Sequence, residues 1–437
     1  MPRRTIDIIT MGCSKNLVDS ERLIQMLNTA GFEARHDPDT LQADYVVINT
    51  CGFIGDAKEE SINTILQCCE AKNKGRVGKV FVMGCLSERY RNELPAEIPE
   101  VDRWYGKFDW TSLVRDISND YSVDATYERH ITSPGHHAYI KISEGCNRFC
   151  AFCAIPLITG RHHSRTIEDI VGEVTSLVQK GVTEFNIIAQ DLSSYGLDIY
   201  GEKRLAQLVE NLAQINGIKR IRLHYAYPSD FPYEVLDVMN KYPNVCKYLD
   251  IALQHISDPV LKNMRRHISS AETLSLLQHI RQVVPGIHIR TTLMVGFPGE
   301  GEKEFEELLE FVKTQRFERM GAFAYCEEDD TYAAKNFKDE ITAETKKNRL
   351  DRVMALQESI ALEHNQSKVG KVFEVVIDSA DEKYFIGRTE FDSPEVDPEV
   401  LIERNTTDSE LLIGKYYNVR ITRAFPFELF GIVENNL

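Results

Sequence analysis

A chain of 437 residues is longer than one hydrophobic core sustains and implies two to four domains. Hydrophobic residues at 43% and charged residues at 27% are the balance of a soluble globular protein; no apolar run approaches the roughly 18 residues of a membrane span, and Met1-Pro-Arg-Arg4 lacks the apolar stretch of a signal peptide, so a cytoplasmic protein is expected. The net charge of −16 argues against a partner held by its phosphates and favours a basic protein, while ten cysteines are too few for a disulfide scaffold and suit thiolate ligation.

In chain order, the first part shows strand-like runs that each end in a cysteine. Thr5–Met11 leads to Gly12-Cys13, Tyr45–Asn49 to Thr50-Cys51, and Val80–Met83 to Gly84-Cys85. Helix-like stretches lie between them, Asp19–Ala30 with Gly31 as a stop signal and Ala57–Lys72. Alternating β and α predicts a parallel sheet whose strand C-terminal ends share one edge, where ligands bind. Cys13, Cys51 and Cys85 therefore converge in space. Gly12, Gly52 and Gly84 beside them let the backbone turn closely around a bulky group, and a three-thiolate cluster is the candidate. The alternative is small cysteines packed at strand ends, the reading given to Cys68, Cys69, Cys246 and Cys326.

A polar linker over 121–135 precedes a strand-like Tyr139–Ser143 and then Cys146-x3-Cys150-x2-Cys153, with Phe152 before the last cysteine. Three thiolates are one short of closing a site: structural zinc and cubane clusters usually take four protein ligands. Three would hold three irons of a 4Fe-4S cube and leave the fourth open for chemistry. The alternative is a zinc knuckle completed by His162 or His163.

Further strands are expected at Phe185–Gln190, Arg220–His224, Tyr248–Leu253, His288–Met294 and Met320–Tyr325, with helices over Thr166–Lys180, Leu205–Ile215, Tyr233–Tyr242, Ala271–Val284 and Glu302–Arg316. Six β/α units predict an incomplete (β/α)6 barrel with its site at the strand C-terminal face, and the cysteine loop follows the first strand as that face requires. Gln190 and Asp191, His224 and Tyr225, and Gln254 and His255 close successive strands; Arg290 lies within the fifth, and Val295-Gly296-Phe-Pro-Gly-Glu300 is a tight turn into a helix. Phe152, Gln190, His224, Arg290 and Gly296 are the candidate cofactor contacts, each with the alternative of a structural role.

Glu344–Asn365 reads as a long polar helix packed along the barrel. Strands return at Phe373–Ile377, Tyr384–Arg388, Tyr416–Ala424 and Leu429–Val433, which predicts a small antiparallel barrel of the OB-like kind. Residues 366–437 carry 8 Lys+Arg against 14 Asp+Glu, a net of −6, and the run Glu390–Glu399 reads by default as a solvated acidic loop. That charge weighs against a nucleic-acid groove.

The chain resembles, over essentially its whole length, the methylthiotransferases of the radical S-adenosylmethionine (SAM) superfamily, on the Cys146-Cys150-Cys153 run, on Cys13, Cys51 and Cys85, and on a C-terminal segment similar to a TRAM domain. The resemblance implies three domains: 1–125 with an auxiliary 4Fe-4S cluster, 132–365 as the radical SAM barrel, and 366–437 as the TRAM domain. It implies two 4Fe-4S clusters and two SAM molecules per turnover, one giving a methyl group to a sulfur at the auxiliary cluster and the other the radical that takes hydrogen from a substrate carbon. An unactivated C–H bond offers no proton to a side-chain base, so no side-chain acid or base is expected to be catalytic.

Met11-Gly-Cys-Ser-Lys-Asn-Leu-Val-Asp-Ser-Glu21 and Ile155–Arg165 look like the branch that modifies the β-carbon of an aspartate in ribosomal protein uS12. The tRNA-adenosine branch usually has Pro-Tyr and an acidic residue in the second stretch, where this chain has Pro156-Leu157 and His162-His163 before Ser164-Arg165. The acidic tail agrees, because ribosomal proteins are basic. The expected partners are uS12, free or in the subunit, an external electron donor and a sulfur source, with no membrane and no nucleic acid as direct substrate. tRNA modification is the alternative enzyme, and a two-cluster electron-transfer or binding protein the alternative class.

Overall fold

The computed structural model describes residues 4–118, 128–406 and 410–434, so the linker expected over 121–135 lies outside the described residues as far as residue 127. The first sheet has strands β1 (Thr5–Thr10), β2 (Glu33–His36), β3 (Ala43–Thr50), β4 (Val77–Gly84) and β5 (Arg103–Trp104), all parallel, in the order β2-β1-β3-β4-β5. β3 is central because Val46, Val47 and Ile48 are buried on both of its faces. The edge strands β2 and β5 were not anticipated: Glu33-Ala-Arg-His36 has no apolar alternation and β5 is two residues long.

The chain leaves β1 toward β2 and returns to lay β3 on its other side. Ligands bind at such a reversal, beyond the strand C-terminal ends. Helix α1 (Ser14–Thr29) begins directly after Cys13, five residues before the expected start. Helix α2 (Gly55–Asn73) follows β3, and the short α3 (Cys85–Arg89) follows β4.

The second sheet contains all six expected strands. They are β6 (His137–Lys141), β9 (Glu184–Ile188), β10 (Arg220–Ala226), β11 (Val245–Gln254), β12 (His288–Val295) and β13 (Arg319–Ala324), parallel in the order β13-β12-β11-β10-β9-β6. It does not close, so β13 and β6 are its edges. A hairpin of β7 (Ser143–Glu144) and β8 (His163–Ser164) ties off the cysteine loop at its base. The strands' outward residues, among them Ile140, Phe185, Ile187, Leu223, Leu249, Ile251 and Leu293, share one core with the surrounding helices. In helix Ile167–Gln179, Ile170, Val174 and Leu177 are buried at helical spacing, each contributing about 1.5–3 kcal/mol. Thr166 caps that helix, and Ser269 with Glu272 forms a capping box for helix Ser270–Val283.

Helix Ala343–Gln366 packs on β13 and leads into a closed barrel of β14 (Val372–Ala380), β15 (Tyr384–Arg388), β16 (Glu399–Glu403), β17 (Tyr416–Ala424) and β18 (Glu428–Val433), in the order β14-β15-β16-β18-β17. β16 was hidden by its position at the end of the acidic run.

That run corrects the default expectation of a solvated loop. Asp392, Ser393, Pro394 and Pro398 are buried. Arg319 donates to Asp392 at 2.6 Å, and Asp397 accepts from the Tyr248 hydroxyl at 2.7 Å and the Ser393 N–H at 2.9 Å. The loop is drawn in by cations at the strand starts of the six-stranded sheet, which it plugs.

Candidate functional site

Cys13, Cys51 and Cys85 follow β1, β3 and β4, three adjacent strands, at the reversal of strand order. Asn16, in the first turn of α1, fastens these ends together. Its Nδ2 donates to the Met11 carbonyl (2.9 Å) and the Thr50 carbonyl (3.0 Å), and its Oδ1 accepts from the Cys85 thiol (3.6 Å) and the Lys107 ammonium (3.4 Å). Gly12 has φ +89°, and a Cβ there would stand 2.8 Å from the Cys51 Sγ. No side chain is tolerated between the first two thiols.

Burial alone would raise the Cys13 thiol, yet Lys15, the Asn16 N–H and Lys107 together hold it below the ordinary cysteine range. Burial pushes Cys51 up and Cys85 up to about 11. Such thiols become thiolates when a metal takes the place of the proton.

The second group lies on the loop after β7. The Cys146 N–H donates to the Gly160 carbonyl (3.2 Å) and the Cys153 N–H to the Cys150 carbonyl (3.0 Å). Gly145, at φ +74°, leaves no room for a Cβ, which would fall 2.1 Å from the Arg161 carbonyl oxygen. Arg266 donates to the Cys150 Sγ at 3.2 Å, the Tyr227 hydroxyl lies 3.7 Å from it, and the Arg148 N–H donates to the Cys146 Sγ at 3.4 Å. Burial raises Cys146 to about 12 and raises Cys153 as well. Sequence pattern gives no sign of Lys107, Tyr227 or Arg266 and shows Asn16 only as a letter of the Met11–Glu21 stretch, because contacts made across the fold leave no local spacing.

Among the described residues, only His136, His137 and Asp378 bring three ligand atoms within 4.8 Å of one another. Arg388 occupies both oxygens of Asp378, at 2.6 and 2.8 Å, so that group is an ion-pair network in which a second cation has no place. Neither cysteine triad is that tight. A tetrahedral zinc with bonds of about 2.3 Å draws its ligand atoms closer than this, whereas a cubane holds each thiolate on a separate iron. His162 is turned to the Ser164 hydroxyl at 3.0 Å, and His163 is exposed. Three thiolates set wider than a zinc knuckle, with His162 engaged elsewhere, are the donors that a cube with one open iron would take.

The two triads lie on elements that meet at the joint between the first domain and the barrel. α3, which starts at Cys85, packs against helix Ile155–Thr159, which follows Cys153. A buried polar chain joins them: Lys107 donates to Asp19 at 3.0 Å, Lys141 of β6 bonds both Asp19 and Glu144, and Gln190 donates to Glu144 at 2.8 Å. Glu144 precedes Gly145-Cys146. Burial would raise its carboxyl, but Lys141 and Lys107 hold it low. On the far side, Lys58 and Arg89 converge on Glu328, at 2.8 and 2.7 Å, and latch the first domain to the loop after β13. Beside this latch a cleft of 680 Å³, walled by Phe53, Ile54, Phe152, Met294 and Phe323, opens next to the cysteine loop.

The other candidate residues scatter. Phe152 packs edge-on to Phe297 beside the loop, and Gln190 reaches Glu144. His224 lies 3.4 Å from the Asn186 Oδ1 and 3.5 Å from the Ser393 hydroxyl, and Arg290 lies 3.5 Å from Asp397, both against the acidic plug. The Gly296 N–H is taken by the Glu300 carboxylate at 2.9 Å. Tyr225 and Gln254, at the ends of β10 and β11, hold left-handed backbone at φ +65° and +72°. Such strain in residues with a Cβ persists where the surroundings impose it.

Residues 140–312 match the Radical SAM superfamily, 5–106 the Uncharacterized protein family UPF0004, and 369–433 the TRAM domain. The chain is 58% identical over 433 residues to the ribosomal protein uS12 methylthiotransferase RimO of Phocaeicola vulgatus, covering 99% of this chain and 100% of the relative. It is 56% identical to the protein of the same name from Porphyromonas gingivalis, covering 99% of each. Among solved structures, the radical S-adenosylmethionine methyltransferase TsrM of Kitasatospora setae superposes with a TM-score of 0.55 at 15% identity, over 74% of this chain and 75% of that one, a likeness of fold. No helix among the described residues is long and apolar enough to cross a membrane.

Proposed function

Because the chain belongs to the family of the RimO ribosomal protein uS12 methylthiotransferases, within the radical SAM superfamily, we propose that it adds a methylthio group to the β-carbon of an aspartate in uS12. The observation that carries the proposal is that the elements bearing two three-cysteine sets meet at the joint between the first domain and the barrel, the helix that starts at Cys85 against the helix that follows Cys153. Cys13, Cys51 and Cys85 hold an auxiliary 4Fe-4S cluster, and Cys146, Cys150 and Cys153 hold the 4Fe-4S cluster that binds SAM. When bound, these groups supply the electron that splits SAM and the sulfur that is methylated and transferred.

The chain's own residues do the rest. Asn16 fixes the three strand ends of the first set. Arg266 orients the Cys150 sulfur, and the Tyr227 hydroxyl, donating to the Arg266 carbonyl at 2.8 Å, steadies it; a hydrogen bond to a ligating sulfur tunes the potential of a cluster. The Lys107–Asp19–Lys141–Glu144 chain holds the two sets at a fixed separation, and four buried charges in two opposite pairs tolerate no sliding. Phe152 and Gln190, beside the second set, remain our candidates for contact with SAM. The domains are 1–125, 132–365 and 366–437. The acidic surface suits a basic ribosomal protein, free or in the assembling subunit, and not a nucleic-acid substrate. The enzyme works in the cytoplasm with an external electron donor and a sulfur source.

Mass spectrometry of ribosomal proteins and tRNA nucleosides from cells with and without the gene tests this. The expected result is loss of one methylthio group from an aspartate of uS12. Loss from a tRNA adenosine with uS12 unchanged would give the activity to tRNA.

A further inference from the structure

A carboxylate brought into a closed site sheds its hydration, at a cost of several kcal/mol unless a cation meets it. An enzyme that takes an aspartate as substrate therefore needs a positive group not already neutralised. Most cations around the joint are taken: Lys107 and Lys141 by Asp19, Arg148 by Asp191, Lys58 and Arg89 by Glu328, and Arg266 by the Cys150 sulfur and the Ala252 carbonyl. Lys15 is different. It has no carboxylate within 4.0 Å among the described residues, and its ammonium rests 3.5 Å from the ring centroid of Tyr225.

Lys15 stands two residues after Cys13, in the first turn of α1, and it is half-buried and open to solvent on one side. Tyr225 is the penultimate residue of β10, at the mouth of the barrel and two residues before the Tyr227 that touches Cys150, and its φ of +65° is the strained conformation noted above. The ring thus holds the ammonium between the two cysteine sets and leaves its other donors free. A cation on an aromatic face keeps its charge for a further partner, since the ring supplies a quadrupole and no neutralising anion.

We propose that Lys15, held by Tyr225, receives the side-chain carboxylate of the target aspartate and so selects aspartate as substrate while placing the adjacent β-carbon between the two cysteine sets. This rests on the function proposed above. The ion pair fixes one end of the reacting side chain, and with the peptide backbone held elsewhere it fixes the carbon from which hydrogen is taken. An asparagine in the same place would leave the ammonium facing an amide, with the charge uncompensated.

The test is equilibrium binding of the reconstituted holoenzyme to whole uS12 and to uS12 with its target aspartate replaced by asparagine. Wild type is expected to bind the aspartate form on the order of tenfold to a hundredfold more tightly, the range for a hydrogen-bonded charge. Lys15→Met brings that ratio close to one, Lys15→Arg keeps most of it, and Tyr225→Leu reduces it by removing the platform from the barrel side. Iron content and the spectra of the two clusters show whether each variant is loaded, and Tyr225→Leu carries the test if Lys15→Met loses iron. An unchanged ratio in a loaded Lys15→Met or Tyr225→Leu protein, or no preference in wild type, overturns the inference. A wild-type enzyme that leaves uS12 unmodified and modifies tRNA overturns the proposed function instead, before any variant is made.

Discussion

The two ends of the barrel contrast in how their charges are used. At the strand starts, charges are numerous and closed: Glu184 meets Arg222 at 2.6 Å and Arg388 at 2.8 Å, Asp378 meets Arg388 and His136, Asp392 meets Arg319, and Asp397 meets Tyr248. At the strand ends the closed Lys107–Asp19–Lys141–Glu144 chain stands beside six thiols, strained Tyr225 and Gln254, and Lys15, which has no carboxylate within 4.0 Å among the described residues. The first set cements the TRAM domain to the barrel, and the second is left incomplete for molecules that arrive. Buried charge by itself therefore does not mark a functional site; charge without a partner does.

The strongest way to break the comparison is to remove one thiol from each set. Cys150→Ala is expected to abolish SAM cleavage, read as 5'-deoxyadenosine released under reducing conditions. Cys51→Ala should leave cleavage running while methylthio transfer to uS12 falls to background by mass spectrometry. Product formation by either variant would remove it from the ligand set. At the plugged end the same severity falls on stability. Glu184→Gln strips Arg222 of its only carboxylate partner among the described residues and leaves Arg388 to Asp378 alone, at a cost of about 3–5 kcal/mol. Urea unfolding followed by circular dichroism measures it, and a loss under 1 kcal/mol would deny the network its structural role.

The sequence carried the open end well and the closed end poorly, for a physical reason. Cysteines that follow strands are governed by local order: a strand, a turn glycine and a thiol recur at β1, β3 and β4, and the parallel sheet aligns them. The six barrel strands were legible in their apolar runs, and the helix over 343–366 in its length and in Leu350, Val353, Met354 and Ile360, although its buried face is half polar. The plug was not legible, since its acids are met by arginines 73 and 107 positions earlier in the chain, Arg319 for Asp392 and Arg290 for Asp397. His224 and Arg290 were read as cavity residues from their positions on strands, and the strands do point them inward, but toward the TRAM loop. Lys15 was visible only as a letter in a motif; its seat on Tyr225 with no carboxylate within 4.0 Å among the described residues is a property of the fold.

A middle-sized effect comes from pH. His137 starts β6 at the closed end, and burial, then Arg388, lower it from its ordinary range to about 4. The folded state thus holds the neutral ring while the unfolded chain takes up a proton below about pH 6.5. A depressed histidine favours the fold fully above the unfolded value and loses that contribution as pH falls toward 4. One such group lowers stability by about 2 kcal/mol between pH 7 and pH 5. Urea titrations of the metal-free protein should show this slope, and His137→Gln should flatten it. An equal slope in the variant would place the sensitivity elsewhere.

The smallest effect separates the two ends most cleanly. Tyr248 lies on β11, inside the barrel, and its hydroxyl donates to Asp397 at 2.7 Å. Its burial and its strand position suit a cofactor wall as well as a plug. Tyr248→Phe removes one hydrogen bond to a charged acceptor that keeps the Ser393 N–H at 2.9 Å and Arg290 at 3.5 Å, so the loss should be about 1–2 kcal/mol. If the plug is only structural, SAM affinity and methylthio transfer by the folded variant stay at wild-type values while the urea midpoint falls. A tenfold loss of SAM affinity without a shift of the midpoint would mean that the cofactor reaches down to the plug, and the division between a closed and an open end would have to be drawn lower in the barrel.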